Sequence, residues 1–272
     1  MSTKILFLSI LFILSAVSII IYIKVRPHFL DRAELYPILV HNDDFYNTFF
    51  PVDLEARHVS SVGEYKEKIK NAVTDFSFLE KMILVMCAYY ADRRIKRIRE
   101  PYFDGEKAVY HVEWRIGCVR GRDYEHGLPH TVGKTIIFTK EMLKEYSWKE
   151  LIDTLIHEKV HLYQKRYPDD IANYLAHFTA TRQRSKADHI RANPDINQTV
   201  YTRVYGGGKE EKEGKEGKEG KEKEGKERKE GREKEYKMQY AQHPSNITDT
   251  IQQDYRREHP FEEMAISIEN RV

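Results

Sequence analysis

Cysteine is nearly absent from this chain of 272 residues: Cys87 and Cys118 are its only two. Two thiols cannot build a disulfide framework or an all-thiolate metal site, and a single bridge in an oxidising compartment is the most they can form. A surplus of either charge is also lacking. The 45 Lys and Arg nearly cancel the 43 Asp and Glu, for a net charge of +2. No global field is present to grip a polyanion, so nucleic acid is not expected as a partner. Core-forming residues are not lacking, since 40% are hydrophobic and 12% aromatic, with 18 Tyr. That composition excludes a wholly disordered protein, and the length suits one domain with attachments or two small ones.

Charge is missing altogether from residues 5–23 (ILFLSILFILSAVSIIIYI). Nineteen helical residues roughly match a hydrocarbon core of about 30 Å. A cleavable signal peptide has a shorter apolar core; Ala16-Val17-Ser18 resembles a cleavage site, yet apolar sequence continues beyond it. The segment is therefore read as an uncleaved single-pass membrane anchor between a tail of residues 1–4 and a linker of residues 24–40. Lys4 against Lys24, Arg26 and Arg32 tips the C-terminal side slightly toward the cytosol. The sequons Asn197-Gln198-Thr199 and Asn246-Ile247-Thr248 would be usable only on the opposite side, which leaves topology open. Lys24–His41 is short and interrupted by proline, so no sheltering pro-segment is expected there.

The second unusual stretch is Lys209–Glu235, whose 11 Lys/Arg, 11 Glu and 5 Gly fill all 27 positions. Nothing in it suits a core. Glu/Lys neighbours favour helix while each Gly opposes it by about 1 kcal/mol. With Gly206-Gly207-Gly208 before it, residues 206–237 read as a solvated, largely disordered insertion; a tether that recruits a partner is the alternative.

Residues 41–272 otherwise carry globular sequence. Ser61-x-x-Glu64 predicts a capped helix through about Val73, and residues 76–98 a longer buried helix that stops before Pro101. Its basic end (Arg93, Arg94, Lys96, Arg97, Arg99) suits a solvated helix C-terminus, or a contact with anionic lipid. Ala108–Val119 and Thr135–Thr139 are β-branched and aromatic and predict strands. Strands first and helices later point to an α+β domain.

The most informative stretch is Ser147–Pro168 (SWKELIDTLIHEKVHLYQKRYP). Ser147 and Glu150 form a second capping-box pattern, and Pro168 stops the helix. Inside lies His157-Glu158-Lys159-Val160-His161, an H-E-x-x-H sequence. The i,i+4 spacing puts both imidazoles on one helix face, able to share one Zn²⁺, with Glu158 placed to take a proton from the attacking water. A catalytic zinc needs a third protein ligand, and His177, His189, His243, His259, Glu262 and Glu263 are available downstream. The extended metzincin pattern is absent: Gln164 and Tyr167 stand where it would place glycine and a third histidine.

The helix LIHEKVHLYQ, together with His259-Pro260-Phe261-Glu262-Glu263-Met264-Ala265, resembles the zincin metallopeptidases of the gluzincin type. The resemblance covers about residues 128–170 and 258–268. It implies a zincin-like fold, a peptide or protein substrate, and Glu262 (Ala265 at +3) as third zinc ligand. Glu263 is the fallback, and an exposed acidic helix start after Pro260 is the plain alternative. The chain departs from the pattern in its long gap after His161 and in Ile266, which replaces the usual Asp or Asn beyond the third ligand. Thr135–Thr139 resembles the zincin edge strand that pairs with substrate main chain; an interior strand fits it equally well. Candidate oxyanion donors are His130, Tyr201, Tyr205 and Tyr255. Arg191-Ala192-Asn193-Pro194-Asp195 is turn-forming, either a plain loop or the wall of a subsite.

Three functions follow. The first is a membrane-anchored zinc metallopeptidase. The second is a non-catalytic, membrane-tethered zincin-fold binding or scaffold protein, in which Glu158 would be dispensable. The third is a structural membrane protein that recruits partners through the charged tract. The intact His-Glu-His constellation favours the first.

Overall fold

The computed structural model describes Ile21 and residues 25–185, 191–203, 234–236 and 259–271. Helices and strands mix in an α+β arrangement, although not in the expected order. Helices α1 (Arg32–Val40), α2 (Asp43–Tyr46), α3 (Pro51–Glu55), α4 (Val62–Ala72) and α5 (Phe78–Ile95) precede most of the central sheet, with the short strands β1 (His28–Phe29) and β2 (Val73–Thr74) among them. Local signals start α4 and α5 where the sequence predicts, whereas residues 24–40, read as a linker, instead form β1 and α1 and bury Leu30, Leu35 and Leu39 in a core. Ser61 Oγ accepts from the Glu64 backbone at 3.1 Å to open α4, and Ser77 with Glu80 forms a reciprocal capping box on α5. At the basic end of α5, Arg94 pairs with Asp153 at 2.7 Å and Arg99 with Glu106 at 3.0 Å.

After the hairpin β3 (Arg99–Glu100) and β4 (Phe103–Asp104) comes a correction. Ala108–Val119 is not one strand. Asp104 accepts from the backbones of Glu106 at 2.8 Å and Lys107 at 3.1 Å and so caps helix α6 (Gly105–His111). Only Arg115–Val119 remains as β5. A cap three residues upstream of Lys107 outweighs β-branched composition.

β5 lies at the centre of the main sheet. It pairs in parallel with β1 and with β7 (Thr135–Thr139), and antiparallel with β2; β7 pairs antiparallel with β6 (His130–Val132). β7 is therefore interior, flanked on both sides and buried at all five positions, so of the two readings of Thr135–Thr139 the interior strand holds and the edge strand does not. The edge is β6. Alternation sends Ile116, Cys118, Ile136 and Phe138 into a larger core with α5, α8 (Trp148–Arg166) and α10 (Pro260–Glu269), and Val119, Val132 and Ile137 into a smaller one with α1 and α4. Gly117 belongs to the second face: a Cβ there would lie 2.5 Å from Leu35 Cδ1, so glycine lets α1 come this close.

Between these elements run α7 (Lys140–Glu145) and α9 (Pro168–Leu175). Pro168 ends α8 but also starts α9 as its first residue. A separate antiparallel sheet joins β8 (Phe178–Gln183), β9 (Thr199–Arg203) and β10 (Lys234–Tyr236). β10 belongs to the charged insertion, so the C-terminal end of that tract is structured; main-chain pairing needs no apolar side chains. Cys87 and Cys118 are both buried and free, so the possible bridge is not formed, and burial pushes the Cys87 thiol up to about 12. The apolar segment 5–23 lies outside the described residues except for Ile21, which with Val25 is buried in the larger core. Among the described residues no helix is long and apolar enough to cross a membrane.

Candidate metal centre

Helix α8 is fixed before it offers any chemistry. Ser147 and Glu150 cap each other's backbone at its start. Lys159, the first variable residue of H-E-x-x-H, is wholly buried: its Nζ donates to Asp92 Oδ1 at 2.8 Å and lies 3.9 Å from the Trp114 ring centroid. Trp114 Nε1 donates to the other oxygen of Asp92 at 3.0 Å. Asp92 belongs to α5, so this network sets the rotation of α8 about its axis.

With α8 so held, His157 and His161 come together with Glu262 from α10. The two imidazole Nε2 atoms are 3.0 Å apart, and Glu262 Oε2 lies 3.1 Å from the first and 3.3 Å from the second. Ligand bonds of 2.0–2.1 Å in a tetrahedral zinc site give ligand-to-ligand edges of about 3.3–3.4 Å. The spacing fits such an ion, and the His-His-carboxylate set can hold a metal.

Each histidine has its other nitrogen occupied. His157 Nδ1 lies 3.2 Å from Glu269 Oε2, and His161 Nδ1 lies 2.9 Å from Gln164 Oε1, whose amide nitrogen donates to the Phe261 carbonyl at 2.8 Å. Oxygen acceptors on Nδ1 select the tautomers that leave both Nε2 atoms as ligands. Glu269 and Gln164 are missing from the sequence-based set of site residues. Both obey helical spacing, Glu269 two turns beyond Glu262 and Gln164 one turn beyond His161, and that spacing was the available signal. Glu269 supplies the orienting carboxylate that Ile266 cannot. Glu269→Ala is expected to weaken divalent-metal binding by about 10–100-fold, with Glu269→Gln recovering most of it, as measured by competition with a chromophoric chelator. Equal affinity in wild type and Glu269→Ala would remove the positioning role.

The electrostatics also call for a cation. Burial opposes charge on His157, but hydrogen bonds to Glu262 and Glu269 outweigh it and lift the imidazole well above its ordinary range. Burial likewise opposes the charge of Glu262, and His161 with His157 still hold that carboxyl well below its ordinary range. Protons thus stand where a metal ion would, and metal uptake should release them. Glu158 is buried, and its Oε2 has no hydrogen-bond partner among the described residues. Burial, with the Asp195 carboxylate adding to it, pushes Glu158 up to about 8; a nearby dication would return it to the ionised state.

The other predicted residues sort clearly. Glu263 turns to the Tyr174 hydroxyl at 3.1 Å. His259 caps α10 through Nδ1, which accepts from the Phe261 backbone, while Nε2 faces Asn197 Oδ1 and the Thr199 carbonyl, each at 3.2 Å. His177 is exposed. His130 turns its ring nitrogens to the Leu128 carbonyl at 3.0 Å and the Tyr124 hydroxyl at 3.1 Å. Tyr201 packs on His259, with 5.2 Å between ring centroids, and accepts from Asn197 Nδ2; it makes no hydrogen bond to the three clustered residues. The sequon amide of Asn197 is thus engaged. Tyr205, Tyr255, His189, His243 and Asn246 lie outside the described residues. The turn-forming segment does reach the site: Asn193 Nδ2 donates to Glu262 Oε1 at 3.0 Å.

No protein-family model, curated protein or solved structure matches the chain.

Proposed function

We propose that this chain is a zinc metallopeptidase acting on peptide or protein substrates and tethered to a membrane by residues 5–23. One observation carries the reading: His157, His161 and Glu262 converge, and Glu158, next to His157 on the same helix, holds a buried carboxylate oxygen, Oε2, that has no partner among the described residues. Burying an unpartnered carboxylate is costly. A purely structural metal site gains nothing from it, whereas a hydrolase needs a base of this kind within reach of a reacting water. That contrast favours catalysis over a tethered binding or scaffold protein.

Zinc in this site would supply a Lewis acid for the scissile carbonyl and bring the pKa of a water near 7. Glu158 takes the proton of the attacking water and passes it toward the leaving amine. Glu269 and Gln164 keep both imidazoles oriented through the cycle. The peptide main chain lies along β6, the edge strand, rather than along β7.

Metal content of the full chain in mild detergent, beside His157→Ala and Glu262→Ala, tests this reading. About one zinc per chain is expected, lost in both variants, with peptide hydrolysis following the metal. A folded wild-type chain that takes up no zinc from added metal would end the enzyme reading.

A further inference from the structure

β6 offers only one residue whose main chain faces away from the sheet. His130↔Ile137, Thr131↔Ile136 and Val132↔Thr135 are paired, and the N–H and C=O of Thr131 both point outward to other partners. Its N–H donates to Asp195 Oδ1 at 2.6 Å, and its carbonyl accepts from Lys165 Nζ at 3.0 Å. A strand pairing here would present one acceptor and one donor at those two places. Asp195 and Lys165 present the same pair, so together they imitate the main chain of one extended residue.

The segment is bound into that position at several points. Thr131 Oγ1 donates to Asp195 Oδ1 at 2.7 Å and accepts from Lys165, and Lys165 also donates to the Pro194 carbonyl at 3.2 Å. The Asp195 backbone donates to Asn193 Oδ1 at 2.8 Å, closing a tight turn. From that turn the Asn193 amide reaches Glu262 Oε1 at 3.0 Å. One short stretch therefore spans from the strand edge to the candidate metal ligand. Its near end is anchored where Arg57 donates to the Ala192 carbonyl at 3.0 Å. Its far end leads to β9, whose small sheet shares no strand with the main sheet, so Asn193–Asp195 can swing off β6 from a fixed Ala192 without breaking main-sheet pairing.

We infer that Asn193–Asp195 is a built-in plug, which fills the place of substrate main chain on β6 and holds the peptidase latent until it is displaced. The inference rests on the peptidase reading above and adds its regulation.

The test uses the zinc-loaded full chain in mild detergent, a quenched-fluorescent extended peptide, and hydrogen exchange of the β6 segment. Asp195→Ala is expected to raise the cleavage rate by roughly 10- to 100-fold, the effect of one hydrogen bond to a charged group. Exchange at residues 129–133 should quicken, then slow again when peptide is added. Pro194→Gly keeps the hydrogen bonds of Asn193, Asp195 and the residue-194 carbonyl and loosens the turn, so a smaller gain of a few-fold is expected from it. Should Asp195→Ala fail to fold, Pro194→Gly decides alone. Wild-type cleavage that neither folded variant exceeds would overturn the plug and leave the peptidase intact. If no form cleaves, the peptidase reading fails, and exchange still decides: protection by peptide in the variants but not in wild type upholds the plug, and protection in none overturns it.

Discussion

Glu158→Gln is expected to keep its metal and to cut peptide hydrolysis by about 10²–10⁴-fold, the usual worth of a positioned general base. The substitution is close to isosteric and removes no hydrogen bond from Oε2, which has none among the described residues. The amide cannot accept a proton at any working pH, so the loss should fall on kcat more than on KM. Stability should move the other way. An uncharged amide is cheaper to bury than a carboxylate, so the variant should melt at the wild-type temperature or above it. A functional group that costs the fold something is the expected signature of an active site. Metal content, kcat and melting temperature measured on one preparation settle the matter. A variant within threefold of wild type in kcat, with its zinc retained, would remove Glu158 from the mechanism and return the scaffold reading.

Much of this site is legible in the chain because it is local. The capping box at Ser147, the i,i+4 histidines and the stop at Pro168 all act within one helix, and α8 forms where they say. Glu262 was visible through a resemblance of motif; that α10 lays it against α8 is a tertiary fact. Glu269 stayed hidden because its one signal, a place two turns beyond Glu262, does not by itself separate it from a solvated glutamate until its partner is known. Asn193 and Asp195 were legible as a turn and not as a plug, since turn chemistry fixes backbone shape and says nothing about where the turn docks.

That the sequence left Thr135–Thr139 open between edge and interior strand has a different cause. Thr135–Thr139 is apolar throughout its centre, and a continuous apolar run marks a strand covered on both faces. β6 is only three residues long, His130–Val132, too short to show any periodicity. The error over Ala108–Val119 is again one of competition, in which the side chain of Asp104 claims two backbone donors before strand propensity can act. Long-range main-chain pairing is the part of the fold that composition carries least well.

Glu125→Gln is expected to destabilise the fold by about 3–5 kcal/mol, the usual cost of breaking a buried ion pair from one side. Glu125 is buried, as are its partners. Arg57 Nε donates to Oε1 at 2.8 Å, Arg191 to Oε2 at 2.7 Å, and the Tyr65 hydroxyl also donates to Oε1. An amide would turn a donor toward one guanidinium and leave two buried cations short of their counter-charge. The pH dependence identifies the mechanism. Burial would raise the Glu125 carboxyl, but Arg57 and Arg191 overcome it and hold it at about 2, below the ordinary 4.5. A carboxyl depressed in the folded state lends its stability in full above its unfolded pKa, and that stability is lost as pH falls from about 4.5 toward 2. A shift of this size is worth about 3 kcal/mol at neutral pH. Urea unfolding of the full chain in mild detergent should therefore show a large gap between wild type and variant at pH 7 that closes on acidification. A gap below about 1 kcal/mol, or one that stays constant across this range, would show that Glu125 does not anchor the network. Its failure would reach the candidate metal centre as well, because Arg57 also donates to the Ala192 carbonyl at 3.0 Å. The pairing that stabilises the domain thus holds the segment that lies across Thr131 and Glu262.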